Sequence, residues 1–188
     1  RGLVSARKSR QCAGMAMLPA GTAAATASGG DKGVMVMMAD ALAVTPTQAE
    51  DLAALAQLHA AAFADHAWPA TMLAESLAQP YVYGLQMRSE NGLVGFALLQ
   101  RVADDDEILT YAVAPGLQRR GYGRQLLQEI YDAARAAQRQ RIFLEVAEDN
   151  IPAIRLYAGF GFHVTGKRPG YYPRPTGAVA AILMQLDL

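Results

Sequence analysis

From residue 41 onward, the hydrophobic positions switch repeatedly between a helical period and the runs that are typical of β-strands. One amphipathic helix is predicted by apolar residues that recur at intervals of three and four: Leu52, Leu55, Leu58 and Ala62. We expect this helix to begin with a capping box formed by Thr47 and Glu50, since the two residues have the required spacing. A second, short helix is expected to begin at Trp68-Pro69 and to run towards Leu77.

The remaining pattern predicts a sheet. Asn91 and Gly92 are a hairpin signal between β-type runs at 81–87 and 93–102. Further strands are expected at 41–45, 107–113, 142–146, 162–167 and 178–186, with helices in the two intervals between 113 and 162. Since hairpins are combined with strand–helix–strand units, we predict an α/β protein with a mixed sheet, helices on both faces and a single domain over residues 41–188.

The first forty residues differ in kind from the rest. Residues 1–30 contain no acidic side chain and become rich in alanine, glycine, threonine and serine. Such a segment buries too little apolar surface to fold, so residues 1–40 are predicted to be a disordered extension. Its origin is open between a transit-type peptide, a weak signal peptide and sequence upstream of the real start. Met35, Met37 and Met38 favour the last of these.

Composition limits the function. The chain has 188 residues, 52% of them hydrophobic, and a formal net charge of zero. The length and the hydrophobic fraction predict one substantial hydrophobic core. The zero net charge predicts neither direct DNA binding nor binding to a membrane surface. No run reaches the roughly 18 apolar residues of a membrane span. The single cysteine, Cys12, lies outside the expected domain, which suits a reducing compartment and a cytoplasmic location.

Asp104, Asp105 and Asp106 raise the question of a metal site. Three consecutive carboxylates cannot all face one ion, and calcium loops space their ligands along the chain. We therefore expect a solvated turn at 104–106 and no metal.

Residues 118–123 combine two glycines with the start of a helix. A β-type run ends at Val113, and the helix that follows has apolar positions one turn apart: Leu126, Leu127, Ile130, Ala134 and Ala137. The first N–H groups of a helix lack helical partners and its dipole favours negative charge, so phosphate binds at such an end. Arg119, Arg120 and Arg124 add positive charge. The segment predicts an anion site, the alternative being a tight turn with solvated arginines.

Two common phosphate loops are excluded. No Lys-Ser/Thr follows the glycines, as a P-loop would require. A dinucleotide fingerprint needs three glycines, and only Gly121 and Gly123 are present. The segment fits the pattern Gln/Arg-x-x-Gly-x-Gly/Ala, which resembles the pyrophosphate loop of the GNAT superfamily of acetyl-CoA-dependent acetyltransferases.

A second segment, residues 141–162, strengthens this resemblance. A strand at 142–146, apolar on both faces, precedes a helix with Asn150 as N-cap, Pro152 in its first turn and Gly159 near its end. Leu144-Glu145-Val146, Asn150 and Leu156-Tyr157 are similar to the second half of the acetyl-CoA site in GNAT proteins. The two halves occur in the order and spacing of that superfamily.

Within the superfamily, the chain most resembles the ribosomal-protein alanine N-acetyltransferases, from about residue 50 to residue 188. Trp68-Pro69, Glu107-Ile108 and Tyr171-Tyr172-Pro173 carry this closer resemblance. It implies a GNAT-like fold, with a mixed and mostly antiparallel central sheet. The chain departs from the family at Val179-Ala180, where an acidic pair is usual; the departure concerns the peptide preference rather than the reaction.

The resemblance also implies the roles of individual residues. Glu145 would be the general base and Tyr157 the general acid. The residues that would contact acetyl-CoA are Ala112, Val113, Gln118, Arg119, Arg120, Gly121, Tyr122, Gly123, Arg124 and Asn150. The substrate would be contacted by Trp68, Tyr171 and Tyr172. Structural alternatives exist for each: a carboxylate bonded at a strand end, a packing tyrosine, an asparagine that only caps its helix, or aromatics that only close a hairpin.

The implied reaction is attack of an amine on the thioester of acetyl-CoA. An α-amine has a pKa of about 7.7–8.0 against about 10.4 for lysine, so one carboxylate gives sufficient help. A tyrosine would protonate the leaving thiolate, and backbone N–H groups around Val113 would hold the oxyanion. The resemblance implies that the acceptor is the N-terminus of a protein or peptide, namely of a ribosomal protein that starts with alanine. The enzyme would be a monomer or weak dimer.

The other polar residues receive weaker interpretations. His59 is expected to pack or to face solvent, His163 to be structural, and His66 to be a minor candidate for the peptide groove. A solvated basic face is expected from three residues near the tyrosine pair: Lys167, Arg168 and Arg174.

Two other functions remain open: acetylation of a small amine such as a polyamine, and a non-catalytic domain that senses acetyl-CoA. Tyr171-Tyr172-Pro173 argues against the first, since small-amine enzymes of the superfamily have unrelated sequences there. Glu145 and Tyr157 argue against the second, because a pure binder needs neither.

Overall fold

The computed structural model describes residues 42–188, except the side chain of Asp65. The extension predicted over residues 1–40, with Cys12, lies outside the described residues. The strands are β1 Ala43–Pro46, β2 Val82–Ser89, β3 Gly92–Val102, β4 Asp105–Val113, β5 Arg141–Ala147, β6 His163–Tyr172 and β7 Val179–Asp187. The helices are α1 Leu52–Phe63, α2 Ala70–Leu77, α3 Tyr122–Ala136 and α4 Ile151–Phe160. No helix in this part of the chain combines the length and apolar character of a membrane crossing.

The strands form one sheet in the order β1-β2-β3-β4-β5-β7-β6. Every neighbouring pair is antiparallel except β4 and β5, which are parallel. Helices α3 and α4 bury Leu126, Ile130 and Tyr157 against one face. Helix α1 and the segment leading into α2 bury Leu55 and Trp68 against the other face. The prediction of a mixed, mostly antiparallel sheet with helices on both faces is confirmed.

Strand β4 contains a β-bulge. Leu98 of β3 pairs with Thr110, whereas the next residue, Leu99, pairs with Ile108. Before the bulge, Ile108 packs on the side of α3 and α4; after it, Tyr111 packs there. Because the extra residue reverses the alternation of side chains, Leu109 and Ala112 both face α1 and α2.

The predicted capping box is wrong by one residue. The Asp51 carboxylate accepts a hydrogen bond from the backbone N–H of Gln48 at 2.8 Å. The backbone N–H of Thr47 instead donates to the carbonyl of Gly84 at 2.9 Å, which ties it to the sheet. The expected pair of Thr47 and Glu50 therefore does not form. Gly159 lies near the end of α4, as expected: the helix ends at Phe160, and its C-cap is Gly161, whose φ of +124° suits glycine.

The solvated turn predicted at 104–106 holds for Asp104, which is exposed and lies in a turn, but is wrong for Asp105 and Asp106, which belong to β4. Asp106 is 1% exposed and accepts a hydrogen bond from the Tyr83 hydroxyl at 2.8 Å. Asp105 accepts two hydrogen bonds from Arg141, at 3.0 and 2.8 Å. These partners, on β2 and β5, compensate the two carboxylates in part for lost hydration, which lets the strand begin earlier than expected.

Candidate active site

The sheet opens between its two parallel strands. β4 and β5 pair only where Asp106–Ile108 lies beside Ile142–Leu144. β4 continues to Val113, paired with β3, while β5 continues to Ala147, paired with β7. An opening therefore lies between the carboxyl ends of the two strands, the position where ligands commonly bind in sheets of this class.

The predicted anion loop lies at one end of this opening. Gly121 precedes α3 with a φ of +89°, a left-handed conformation that glycine adopts without strain. Nothing lies within 4 Å of where a Cβ on Gly121 would stand, so its backbone is open to an approaching group. Arg119 and Arg120 beside it are exposed. The loop thus presents a free helix N-terminus flanked by two solvent-facing guanidinium groups.

The second glycine is required for a different reason. A Cβ on Gly123 would lie 3.1 Å from Leu156 Cδ2 and 3.4 Å from the Tyr111 hydroxyl. Tyr111 also donates its hydroxyl hydrogen to the Gly123 carbonyl. Arg124 donates to the Gly159 carbonyl at 2.9 Å. The first turn of α3 is therefore packed closely against both β4 and α4.

One edge of β4 faces the opening with its backbone. The N–H of Ala114 donates to Val94 of β3 at 2.9 Å. Since successive residues of a strand direct their amides to opposite edges, the N–H of Val113 points away from β3, towards the opening. The Gln118 side chain donates to the Val113 carbonyl at 3.2 Å and holds the strand end in this orientation.

Glu145 lies beyond the last β5 residue that pairs with β4. Its carboxylate is 3.0 Å from Arg168 Nη1, and Tyr171 hydrogen-bonds to it. Burial raises the pKa of Glu145 above its usual range, while the Arg168 charge and the Tyr171 hydrogen bond lower it. The carboxylate is thus poised between a basic form favoured by these partners and a protonated form favoured by burial.

A second carboxylate, Glu107, shares a cavity of about 250 Å³ with Glu145. The cavity is also lined by Phe143, Leu183 and Arg168. Burial and the neighbouring charge of Glu145 raise the pKa of Glu107, and Arg168 lowers it. Glu107 was not among the predicted site residues, although it stands at the start of the predicted strand that leads to the anion loop.

Tyr157 projects from α4 into the core beneath the opening and is 0% exposed. Its ring makes edge contacts with Tyr111, at 6.3 Å between centroids, and with Phe162, at 5.5 Å. Burial first, and then Tyr111 and Tyr172, raise the pKa of Tyr157 well above its usual range. The phenol is therefore neutral throughout the physiological pH range.

Asn150 caps α4 as expected. Its Oδ1 accepts a hydrogen bond from the N–H of Ala153 at 3.3 Å. The cap joins the end of β5 to the helix that carries Tyr157. Its predicted contact with acetyl-CoA stays a prediction.

The tyrosine pair at the end of β6 lies beside Glu145. The two rings are 5.0 Å apart at 89°. Arg168 lies 5.7 Å from the Tyr171 ring and Arg174 lies 5.9 Å from the Tyr172 ring. Trp68, the third residue predicted to contact substrate, is buried in the core between α1 and the sheet. Its contact with substrate stays a prediction, as do those of the tyrosines.

The three cations predicted to form a solvated basic face near the tyrosines are instead paired with carboxylates. Arg168 pairs with Glu145, Lys167 with Glu148 and Arg174 with Asp149. Glu148 also accepts a hydrogen bond from the N–H of Ala180 at 2.8 Å, so it brings an acidic group to the position where the acidic pair was missing. The cations are paired because the β5–α4 connection and β6 converge, which the local sequence does not reveal.

The structure shows the contacts of two of the histidines. His59 is 0% exposed, so its expected packing role is confirmed and the solvent-facing alternative is wrong. Its Nδ1 accepts from the Trp68 N–H at 3.1 Å, and its Nε2 lies 3.1 Å from the Thr110 hydroxyl. Arg174 connects His66 to the tyrosine pair: its Nη1 is 3.4 Å from His66 Nε2, and its guanidinium lies 5.9 Å from the Tyr172 ring.

Within residues 42–188, no group of three or more His, Cys, Asp or Glu side chains is arranged to hold a metal ion. The predicted residues nevertheless fall around one opening. The loop of Gly121 lies at α3, the Val113 amide lies on β4, and Glu145 and Tyr157 belong to β5 and α4. The loop predicted to bind an anion, the backbone amide of Val113 and the two residues predicted to transfer protons therefore lie on elements around the opening.

Comparison with known proteins identifies relatives of this chain. The model of the Acetyltransferase (GNAT) family matches residues 51–162. The N-alpha-acetyltransferase RimI of Mycobacterium tuberculosis is 38% identical over 130 residues, which cover 66% of this chain and 80% of that protein. The [ribosomal protein bS18]-alanine N-acetyltransferase of Salmonella typhimurium is 36% identical over 104 residues, covering 55% of this chain and 70% of that protein.

A solved structure agrees with these matches. The ribosomal-protein-S18-alanine N-acetyltransferase of Escherichia coli superimposes with a TM-score of 0.73 at 29% identity, covering 78% of this chain and 94% of that one. The fold, the family match and the similarity to named acetyltransferases lead to one assignment. The chain belongs to the GNAT family and is an acetyltransferase.

Proposed function

We propose that this protein transfers the acetyl group of acetyl-CoA to the N-terminal α-amine of a protein, with a ribosomal protein that begins with alanine as the acceptor. The similarity to two proteins that are named as N-terminal acetyltransferases supports the proposal. Tyr171 and Tyr172, at the end of β6 and beside Glu145, support it further. We assign this reaction to the cytoplasm, where ribosomal proteins are made.

Acetyl-CoA is the proposed acyl donor, and the residues fit it. The N-terminus of α3 and the exposed Arg119 and Arg120 suit a pyrophosphate, which would lie against the open backbone of Gly121. The β4 edge at Val113 offers a free amide to the acyl carbonyl. When bound, acetyl-CoA supplies the activated acetyl group; the protein supplies position, hydrogen bonds and proton transfer.

Glu145 is the proposed general base. Burial makes its carboxylate a better proton acceptor than an exposed one, while Arg168 and Tyr171 keep it ionised until a proton arrives. An α-amine with a pKa of about 7.7–8.0 already loses its proton near neutrality, so this modest base suffices. A lysine side chain, with its pKa near 10.4, would require a stronger one.

Tyr157 is the proposed general acid. Its raised pKa keeps the phenol protonated and able to donate as the carbon–sulfur bond of the thioester breaks. The N–H of Val113 is the proposed donor to the oxygen that becomes negative in the tetrahedral intermediate. The proposed base thus comes from β5, the proposed acid from α4 and the amide donor from β4.

The observation that carries the proposal is the position of Glu145 in the opening, with Arg168 and Tyr171 on its carboxylate. The test is turnover of acetyl-CoA with short peptides that differ only in the first residue, with spermidine and free alanine beside them. We expect acetylation of the alanine-initiated peptide at its α-amine, located by mass spectrometry. Acetyl groups on internal lysines, or activity confined to spermidine, would contradict the proposal.

A further inference from the structure

Tyr111 carries a buried hydroxyl that is bonded to the first turn of α3. The side chain is 3% exposed, and its hydroxyl donates to the backbone carbonyl of Gly123. The hydroxyl oxygen would lie only 3.4 Å from a Cβ on Gly123, so it is packed closely against the helix backbone. Burial raises the pKa of Tyr111 above its usual range, so the phenol stays protonated and remains a donor. This contact joins β4 to the predicted anion loop.

The helix does not need this hydrogen bond. Gly123 is the second residue of α3, so its carbonyl already accepts from the helical N–H four residues later. A phenylalanine at position 111 would keep the edge contact with the Tyr157 ring, and it would bury no hydroxyl that requires a partner. The hydroxyl therefore adds one thing that packing does not supply, a directed connection between the strand and the helix.

The bulge of β4 places Tyr111 where it can make this connection. Because Leu98 pairs with Thr110 and Leu99 pairs with Ile108, one residue of β4 has no counterpart on β3. The extra residue turns the Tyr111 ring towards α3 and α4. Without it, the side chain at position 111 would point to the opposite face of the sheet, away from the loop. The bulge and the hydrogen bond therefore act at the same end of the opening.

The connection lies between the two ends of the proposed acetyl-CoA site. Tyr111 is two residues before Val113, whose N–H is the proposed donor to the acyl oxygen. Gly123 is two residues after Gly121, in the helix end proposed to hold the pyrophosphate. One bound molecule would contact both places, so their separation must match it, and a misplacement of about 1 Å can cost on the order of 10²-fold in rate. Gln118 makes a second connection between the same segments, through the Val113 carbonyl at 3.2 Å.

We infer that Tyr111 is a positioning residue for acetyl-CoA, whose hydroxyl holds the first turn of α3 at the distance from Val113 that the bound molecule requires. Tyr111 acts through the backbone of Gly123. This inference rests on the proposed function, which supplies the pyrophosphate site and the oxyanion site. It predicts a cost for an acyl donor that extends from Val113 to the loop and none for a donor that lacks the pyrophosphate.

The test is Tyr111→Phe in the full chain, with two acyl donors. The kcat/KM for acetyl-CoA should fall about fivefold or more, the usual contribution of one hydrogen bond. The kcat/KM for S-acetylpantetheine, which has the same thioester and no pyrophosphate, should be unchanged. Calorimetry should show a matching rise in the dissociation constant of CoA. A general defect of the fold would slow both donors alike.

Tyr83→Phe is the matched control, since it also removes a hydrogen-bonded hydroxyl from the sheet, one that donates to Asp106 near the other end of β4. It should lower the thermal stability and leave the dissociation constant of CoA unchanged. Replacing Tyr111 with para-aminophenylalanine keeps a donor at the same place and should restore the affinity for CoA. Wild-type affinity in Tyr111→Phe, an equal loss with both acyl donors, or no rescue by the amino group would overturn the inference.

A failure of the proposed donor site gives a different result. If Gly121→Val and Tyr111→Phe both bind CoA as tightly as wild type, the loop does not hold the pyrophosphate, and the inference is wrong together with that site. If Gly121→Val loses affinity while Tyr111→Phe does not, the donor site stands and only the role of Tyr111 is wrong.

Discussion

The carboxylate of Glu145 is under two opposing influences. Burial favours its protonated form, while Arg168 and Tyr171 favour its ionised form. Because Arg168 contacts the carboxylate at 3.0 Å, it is the partner whose removal should be easiest to detect. Because Arg168 is half-exposed, its ion pair with Glu145 contributes little to the stability of the fold. Its main effect is on the basicity of the Glu145 carboxylate.

Arg168→Gln should therefore move the activity profile to higher pH. Without the cation, the pKa of Glu145 rises, so the carboxylate becomes protonated, and inactive as a base, at a higher pH than in wild type. The measurement is kcat/KM against pH, in which the acceptor amine adds a separate limb near pH 8 in every variant. Lys167→Gln is the control, since Lys167 pairs with Glu148. If the acidic limb of the kcat/KM profile stays at the wild-type pH, or moves to lower pH, the role of Arg168 is contradicted.

Tyr157→Phe should lower kcat by about 10²-fold or more, the usual contribution of a positioned proton donor. The affinity for acetyl-CoA should stay within a few-fold, because the ring and its contacts with Tyr111 and Phe162 are kept. Stopped-flow turnover gives the first quantity and calorimetry the second. Turnover near the wild-type rate, with chemistry as the slow step, would make Tyr157 a packing residue.

At the scale of elements, the beginning of α3 depends on two glycines for different reasons. Gly121 is needed for its φ of +89°, and Gly123 for its close packing against Leu156 and Tyr111. The orientation of the free N–H groups at the start of α3 depends on Gly121, whereas the position of the helix depends on Gly123. Only a change at Gly121 leaves the packing of α3 undisturbed.

Gly121→Val should raise the dissociation constant of acetyl-CoA at least tenfold, a loss of about 1.4 kcal/mol. A β-branched residue is strained at this φ, so the loop moves and the N-terminus of α3 loses its shape. Gly116→Val is the matched control, since Gly116 precedes the same loop, has open space around it and has no positive φ. Calorimetry with equal affinities in the two variants would remove the loop from the cofactor site.

At the scale of the whole molecule, His59 links three elements. It lies on α1, accepts a hydrogen bond from the Trp68 backbone and bonds to Thr110 at the bulge of β4. Since Nδ1 is an acceptor, Nε2 carries the hydrogen of the neutral ring. Burial lowers the pKa of His59 to about 4, so the fold holds this histidine neutral.

Protonation of His59 should therefore destabilise the protein. Its folded pKa of about 4 lies below the unfolded value of 6.5, so the stability it gives is complete above pH 6.5 and is lost as the pH falls towards 4. Between pH 7 and pH 5, wild type should lose about 2 kcal/mol more than His59→Gln in urea denaturation. His163→Gln, at an exposed strand position, should behave as wild type; parallel losses in all three would contradict the assignment.

Much of the site was predictable from local sequence. The turn and helix at 118–136, the capped helix after Asn150 and the apolar faces of α1 and α3 depend on residues within a few positions of one another. Helix dipoles, left-handed glycines and periodic apolar positions act over that range. The anion loop and the helix that carries Tyr157 therefore agree with the expectation from sequence.

The partners of the polar groups were decided only by the tertiary structure. Arg168 reaches Glu145 because β7 is inserted between β5 and β6, an order that no local pattern specifies. Strand order likewise gives Asp106 a tyrosine partner from β2, and the packing of α1 on the sheet buries His59 against the bulge of β4. The sequence determined which groups are available and which elements carry them. Strand order and the separation of β4 from β5 determined which groups meet, because contacts between distant segments depend on how the whole sheet packs.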